Sequence, residues 1–218
     1  RAILDEARDR VAKVWRCQPS EVVFTSGGTE SNNLAIFGTA RLLRDKGRHL
    51  ITSAIEHHAV LHCFEYLQRK EGFEVTFLPV DRTGRVELEA VAAVIRPDTT
   101  LVSVMAANNE TGTLQPVAEI GALCQQRGVL FHTDAVQWLG KEPFSGIQQF
   151  NADLVSTCAH KVHGPKGAGA LFIKSPLHPD PILFGGAHEN ERRAGTENLA
   201  AIVGLVEAME RFVEVPVF

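Results

Sequence analysis

Cysteine is scarce in this chain of 218 residues: four thiols, Cys17, Cys63, Cys124 and Cys158, with no CxxC pair among them. Scattered single thiols fit a reduced, cytoplasmic protein and argue against a disulfide framework. Basic residues are not in excess, with 22 Lys and Arg against 26 Asp and Glu and a net charge of −4. The charge balance therefore gives no footprint for nucleic acid. No apolar run reaches membrane-spanning length, and the start, Arg1-Ala2-Ile3-Leu4-Asp5, lacks a signal-peptide pattern. Neither the GK[ST] ending of a P-loop nor a Rossmann glycine fingerprint occurs, which weakens the case for a nucleotide-binding module. There is no initiator Met, so a processed, trimmed or partial chain is expected. Internal repeats, low-complexity tracts and interdomain linkers are missing too.

What is present is ordinary globular composition, 44% hydrophobic and 22% charged, enough for one domain with a large core. Strand and helix signals alternate. Short apolar or β-branched runs at 21–25, 49–54, 74–80, 100–107, 129–133, 152–157 and 168–173 read as strands. Helical patterns fall at 31–46, 59–70, 88–95, from Pro116 to before Gly128, and 198–213, with Pro116 opening a first turn and Gly128 following an end. The alternation predicts an α/β fold: a mostly parallel sheet with helices on both faces, a three-layer α/β/α sandwich. Near-continuous apolar strands such as Leu101-Val102-Ser103-Val104-Met105-Ala106 fit a sheet buried on both sides.

In such sheets ligands collect beyond the carboxyl ends of the strands. Polar clusters follow strands at 26–31, Glu56-His57-His58, 108–110, 134–137 and 158–161. The richest is the last, where the strand leads into His160-Lys161 and a loop with Gly164, Pro165, Gly167 and Gly169. An amine placed there, partly desolvated and beside loop amides that hold an anion, can lose its proton and form a Schiff base with an aldehyde. Twenty-seven residues upstream, Asp134 interrupts another strand. A lysine for an aldehyde and an aspartate for a pyridinium nitrogen are what pyridoxal phosphate asks of a protein.

Each piece also has a plainer reading. Gly27-Gly28-Thr29 is either a glycine turn before a helix capped by Thr29 or Ser31, or a phosphate seat at the helix N-terminus. His57 and His58 open a helix as surface or partly buried residues, as a ring stacked on a flat cofactor, or, for His58 with His62 at i, i+4, as metal ligands; no acidic third ligand stands nearby. Asp134 serves a structural hydrogen bond or a ring nitrogen, with Gln137 placed for a phenolic oxygen. Asn108-Asn109-Glu110-Thr111-Gly112 is a turn, or brings Asn109 to a ligand. The loop 189–196 is solvated, or carries a phosphate-binding hydroxyl across a dimer interface. Cys158 reads as a small buried residue.

Together the segments resemble the cysteine desulfurases of the class V aminotransferase family, the NifS/IscS-like branch of the fold-type I pyridoxal phosphate enzymes. Six pieces match in family order: Thr25-Ser26-Gly27-Gly28-Thr29-Glu30-Ser31-Asn32-Asn33, Glu56-His57-His58-Ala59-Val60, Asn108-Asn109-Glu110-Thr111-Gly112, His132-Thr133-Asp134-Ala135-Val136-Gln137, His160-Lys161-Val162-His163-Gly164-Pro165-Lys166-Gly167 and Arg193-Ala194-Gly195-Thr196-Glu197-Asn198. The resemblance implies that Lys161 carries the cofactor, pyridoxal 5'-phosphate, and that His57 stacks on its ring and moves protons. It implies that Asp134 pairs with the ring nitrogen, Gln137 with the phenolic oxygen, and that Asn109 lies near that oxygen and the substrate. Gly28, Thr29 and His160 would hold the phosphate, and Thr196 would reach the phosphate of a partner subunit in a homodimer. Where the family usually has Ser, Cys158 would offer the phosphate a weaker donor.

The resemblance further implies a reaction that moves sulfur from L-cysteine to an enzyme thiol, leaving L-alanine, and onward to an acceptor such as an iron–sulfur scaffold protein. In the family the receiving cysteine and a substrate-binding arginine lie in a small C-terminal domain, and no cysteine follows Cys158 here. Residues 1–218 are thus expected to be the large cofactor domain, without the family's N-terminal segment and small C-terminal domain. Other class V enzymes (a selenocysteine lyase, a cysteine sulfinate-type lyase, an aminotransferase) and a non-catalytic scaffold of the same fold are the competing readings.

Overall fold

The computed structural model describes residues 2–213. Its elements are α1 (Ala2–Trp15), β1 (Val22–Thr25), α2 (Gly28–Leu43), β2 (His49–Ser53), α3 (His58–Lys70), β3 (Glu74–Leu78), α4 (Leu88–Val94), β4 (Thr99–Ser103), α5 (Val117–Arg127), β5 (Leu130–Asp134), β6 (Leu154–Cys158), β7 (Gly169–Ile173) and α6 (Leu199–Phe212). Three short 3-10 turns lie at Pro19–Glu21, Ile147–Phe150 and His188–Glu191.

The strands form one seven-stranded sheet, ordered β1-β7-β6-β5-β4-β2-β3. The pairs β2–β3, β2–β4, β4–β5 and β5–β6 are parallel, and β7 runs antiparallel to both β6 and β1. Reversed twice through β7, β1 points the same way as β6. The carboxyl ends of β1, β2, β4, β5 and β6 therefore share one edge, and the connections that leave that edge carry the polar clusters.

Neighbouring residues on each strand go to opposite faces, as the period of two requires. Phe24, Ile51, Val102, Val155 and Phe172 join one core with residues of α1, α4, α5 and α6. Their neighbours Leu50 and Leu101 join a second core with Ile36 of α2 and with Val60, Phe64 and Leu67 of α3. Val23, Leu154 and Leu171 meet Leu34 and Ala35 of α2. Both sheet faces are thus covered, which makes the expected three layers. Burial of side chains such as Trp15, Phe64, Phe131 and Phe150 contributes about 1.5–3 kcal/mol each before the entropy of ordering the chain is subtracted.

The differences from the expected elements have local causes. The strand foreseen at 100–107 is regular only to Ser103; beyond it Val104 N–H bonds to His132 O and Ala106 N–H to Asp134 O outside the ladder. The N-terminal helix α1 was not foreseen; it packs on α6, and Arg10 bridges to Glu207 and Glu210 there. Pro116 stands as the N-cap of α5, and Gly128 closes that helix in the left-handed region, φ 67°, where glycine has no Cβ to strain.

Candidate active site

Along the shared edge the polar clusters close on one cleft of about 550 Å³. Its lining includes Gly28, Thr29, His57, Asn109, Asp134, Gln137, Cys158, His160 and Lys161. Nine of the ten residues singled out in the sequence therefore meet in one place. The tenth, Thr196, is exposed on another cleft beside Arg8 and Glu189.

Asp134 ends β5 and sits on the cleft floor, 6% exposed. Its Oδ1 accepts from Val136 N at 3.0 Å and its Oδ2 from Asn32 Nδ2 at 2.7 Å. Burial raises its pKa above the usual carboxylate value, opposed by these two donors and by His57. A buried carboxylate here calls for a cationic partner. Lys161 lies in the turn after β6 and is exposed, not the partly desolvated amine expected from sequence, because the turn leaves the strand at the open cleft. Lys141, half-buried, donates from Nζ to Lys161 O at 3.0 Å; burial lowers its pKa first, the Lys161 charge second.

The opposite end of the cleft is built for an anion. α2 starts at Gly28, with Gly27 as N-cap and no side-chain cap, so neither Thr29 nor Ser31 occupies its first amides. Ser31 Oγ instead pairs with Thr25 Oγ at 2.8 Å. A Cβ on Gly28 would come within 2.9 Å of Val136 Cγ2, so glycine is what lets the helix start sit against the cleft wall. His160 has its pKa lowered by burial and then by the charges of Lys161, Lys166 and Lys141, of which Lys161 and Lys166 also line the cleft. Glu30, held by Arg193 at 2.6 Å and by Ser26 N, fastens the turn to the loop that carries Thr196.

His57 is the N-cap of α3: its Nδ1 accepts from Ala59 N at 3.1 Å. The neutral ring therefore carries its proton on Nε2. His58 and His62 stack with ring centroids 5.0 Å apart, outside this cleft, and among the described residues no three His, Cys, Asp or Glu side chains are grouped to hold a metal ion. Sequence reasoning gave no role to Asn32, Met105 or Lys166, which also line the cleft. The signal for Asn32 was available: it lies four residues after Gly28, on the same helix face.

A carboxylate at the floor, an amine at the strand end and an unobstructed helix N-terminus make up a donor set that fits pyridoxal 5'-phosphate, and the volume suits a ligand of that size. Residues 1–216 match the family model described as aminotransferase class-V. The chain belongs to the class V aminotransferase family. It is 48% identical over 210 residues to the cysteine desulfurase IscS of Dictyoglomus turgidum, covering 96% of this chain and 53% of that protein. Against the cysteine desulfurase IscS of Methanosarcina thermophila it is 52% identical over 204 residues, covering 94% and 50%. The chain thus spans about half the length of these curated relatives. Among solved structures, a NifS-like protein superposes with a TM-score of 0.93 at 43% identity, over 98% of this chain and 58% of that one. SspA in complex with cysteine superposes at 0.91 and 40%, over 97% and 61%. Family and fold, a fold-type I α/β sandwich, agree with the expectation from sequence.

Proposed function

We propose that residues 1–218 are the cofactor-binding domain of a pyridoxal 5'-phosphate-dependent cysteine desulfurase, which takes sulfur from L-cysteine, leaves L-alanine and hands the sulfur on for iron–sulfur cluster assembly. The observation that carries this reading is the meeting of Lys161, Asp134 and the uncapped start of α2 in one cleft. When bound, the cofactor supplies an electron sink for bond breaking at the substrate α-carbon.

The chain's own residues divide the remaining work. Lys161 Nζ would hold the cofactor through its aldehyde carbon and, when free, would be placed to take a proton from the substrate α-carbon. Asp134, oriented by Asn32 and Val136 N–H, holds negative charge against the ring nitrogen. His57, its proton on Nε2, would stack on the ring. Gln137 and Asn109, which line the same cleft, would donate to the phenolic oxygen. Gly28, Thr29 and His160 would hold the phosphate, with Cys158 also in the cleft lining.

None of the four cysteines suits the sulfur-accepting role. Burial pushes the Cys17, Cys63 and Cys124 thiols up to about 12 and raises that of Cys158, so little thiolate forms. The acceptor thiol therefore belongs to another part of the full-length protein. Thr196, exposed away from this cleft, serves the phosphate of a second copy in a homodimer. Unpaired thiols and the lack, among the described residues, of a helix long and apolar enough to cross a membrane support a cytoplasmic setting.

The test is the full-length protein with added cofactor and L-cysteine under reducing conditions. Alanine and sulfide should appear in equal amounts, and Lys161→Ala should lower kcat by about 10³-fold. A keto acid in place of alanine, or turnover of selenocysteine alone, would replace this reading with an aminotransferase or a selenocysteine lyase.

A further inference from the structure

Glu56 lies between the ends of β2 and β4 and does not line the cleft, whereas the next residue, His57, and its hydrogen-bond partner Met105 do. It is 6% exposed, and its Oε1 accepts from Ser53 Oγ at 2.5 Å and from Met105 N at 2.9 Å. Its Oε2 is buried with no partner. No lysine, arginine or histidine among the described residues forms an ion pair with it. An ionised carboxylate so enclosed would be a buried charge without compensation, which proteins avoid by keeping the group protonated. The next residue, His57, and the turn after Met105, which carries Asn109, supply two walls of the cleft. Asn108 Nδ2 adds a 3.1 Å bond to Ile55 O between the same two segments.

We propose that Glu56 is a positioning residue that works as a neutral acid, clamping the His57 loop to the Asn109 loop. One protonated carboxyl gathers the Ser53 hydroxyl and the Met105 amide onto a single oxygen and so sets the spacing of the walls between which the cofactor ring fits. Burial drives its pKa up to about 8; Ser53 and Met105 oppose the rise, and the charge of Asp134 adds to it. Asp134 and His57 are the titratable groups facing this corner of the cleft. Once the clamp opens, the carboxyl meets water and ionises at its ordinary pKa, whereas in the closed clamp it stays protonated to about pH 8; rising pH therefore favours opening up to about pH 8 and changes it little beyond. Neutral Glu56 also leaves Asp134 as the sole anion at the floor.

The role in cofactor binding rests on the proposed function; the clamp itself does not, and the experiment separates them. Hydrogen exchange of the Met105 amide is followed in the full-length protein from pH 6.5 to 9.5, as a protection factor corrected for intrinsic rate. In wild type, protection should fall by up to about tenfold per pH unit as pH rises toward about 8, and level off above it. Glu56→Gln, uncharged and of the same shape, should keep protection throughout, and bind pyridoxal phosphate at pH 9.5 about tenfold more tightly than wild type. Glu56→Ala should lose protection at every pH. Met105 protection in wild type that is unchanged to pH 9.5, or lost equally in Glu56→Gln, overturns the proposal. An intact clamp transition in a protein that binds no cofactor at any pH upholds the clamp and overturns the proposed function instead. The wild-type titration decides the matter even where a variant fails to fold.

Discussion

Asn32 Nδ2 donates to Asp134 Oδ2 at 2.7 Å, and the two residues lie 102 positions apart, on α2 and β5. This bond aims the buried carboxylate into the cleft, and it joins the helix whose start forms the anion seat to the strand that ends at the ring site. Replacing Asn32 by Ala removes a hydrogen bond to a charged group, worth about 1.5–3 kcal/mol. Pyridoxal phosphate binding should weaken about 10- to 100-fold, read by fluorescence titration. Unchanged affinity in a folded Asn32→Ala variant would remove Asn32 from the site.

His132 is fully buried between Ser103 Oγ, 2.7 Å from Nδ1, and Ser156 Oγ, 2.9 Å from Nε2. Burial pulls its pKa down to about 3. The unfolded chain binds the proton more readily, so the stability this ring contributes is full above about pH 6.5 and is lost as pH falls toward 3, by at most about 1.4 kcal/mol per pH unit. Urea midpoints at pH 7 and pH 5 should differ more in wild type than in His132→Phe. That variant should itself be less stable at pH 7 by about 1–3 kcal/mol per serine hydroxyl left without its partner. Equal pH dependence in the two proteins would contradict the assignment.

The Arg193–Glu30 pair, 15% and 11% exposed, is more buried than the surface pairs, so removing one partner strands the other. Arg193→Met should loosen the loop 189–196 and raise its rate of limited proteolysis, while Arg44→Met, whose pair with Asp45 is exposed, should not. Equal proteolysis in the two variants would mean that the pair does not hold the loop.

Thiol chemistry gives an independent check on the domain assignment. Cys63, Cys124 and Cys158 are buried, so alkylation at pH 8 should leave all three unmodified until denaturant is added. Cys158→Ser should retain sulfur transfer in the full-length protein. Loss of persulfide with this single change would place the acceptor thiol in this chain after all.

Much of this arrangement was legible in the sequence because it is local. Apolar runs, glycine turns and polar residues just past strands located the sheet and the clusters along its edge, and the resemblance to the class V family turned these into ten proposed site residues, nine of which meet in the cleft. What escaped was set by contacts between distant segments. The insertion of β7 between β6 and β1 joins segments far apart in sequence. Asn32 became a site residue only when α2 met β5, and the tie from Glu189 to Arg8 and Phe24 N spans 165 residues or more. Glu189, Asn190 and Glu191 adopt positive φ without glycine, a conformation held by that buried tie and invisible to turn rules. The openness of Lys161 likewise reflects how the turn leaves β6, not the composition of its motif.

The central claim is that Lys161 carries the cofactor. Borohydride reduction of the protein incubated with pyridoxal phosphate, followed by peptide mass mapping, tests it most directly. The account predicts one reduced pyridoxyl adduct, on Lys161, that is abolished in Lys161→Ala while a comparable far-UV spectrum shows the fold retained. An adduct on Lys141 or Lys166 instead, or none in a folded sample, would contradict it.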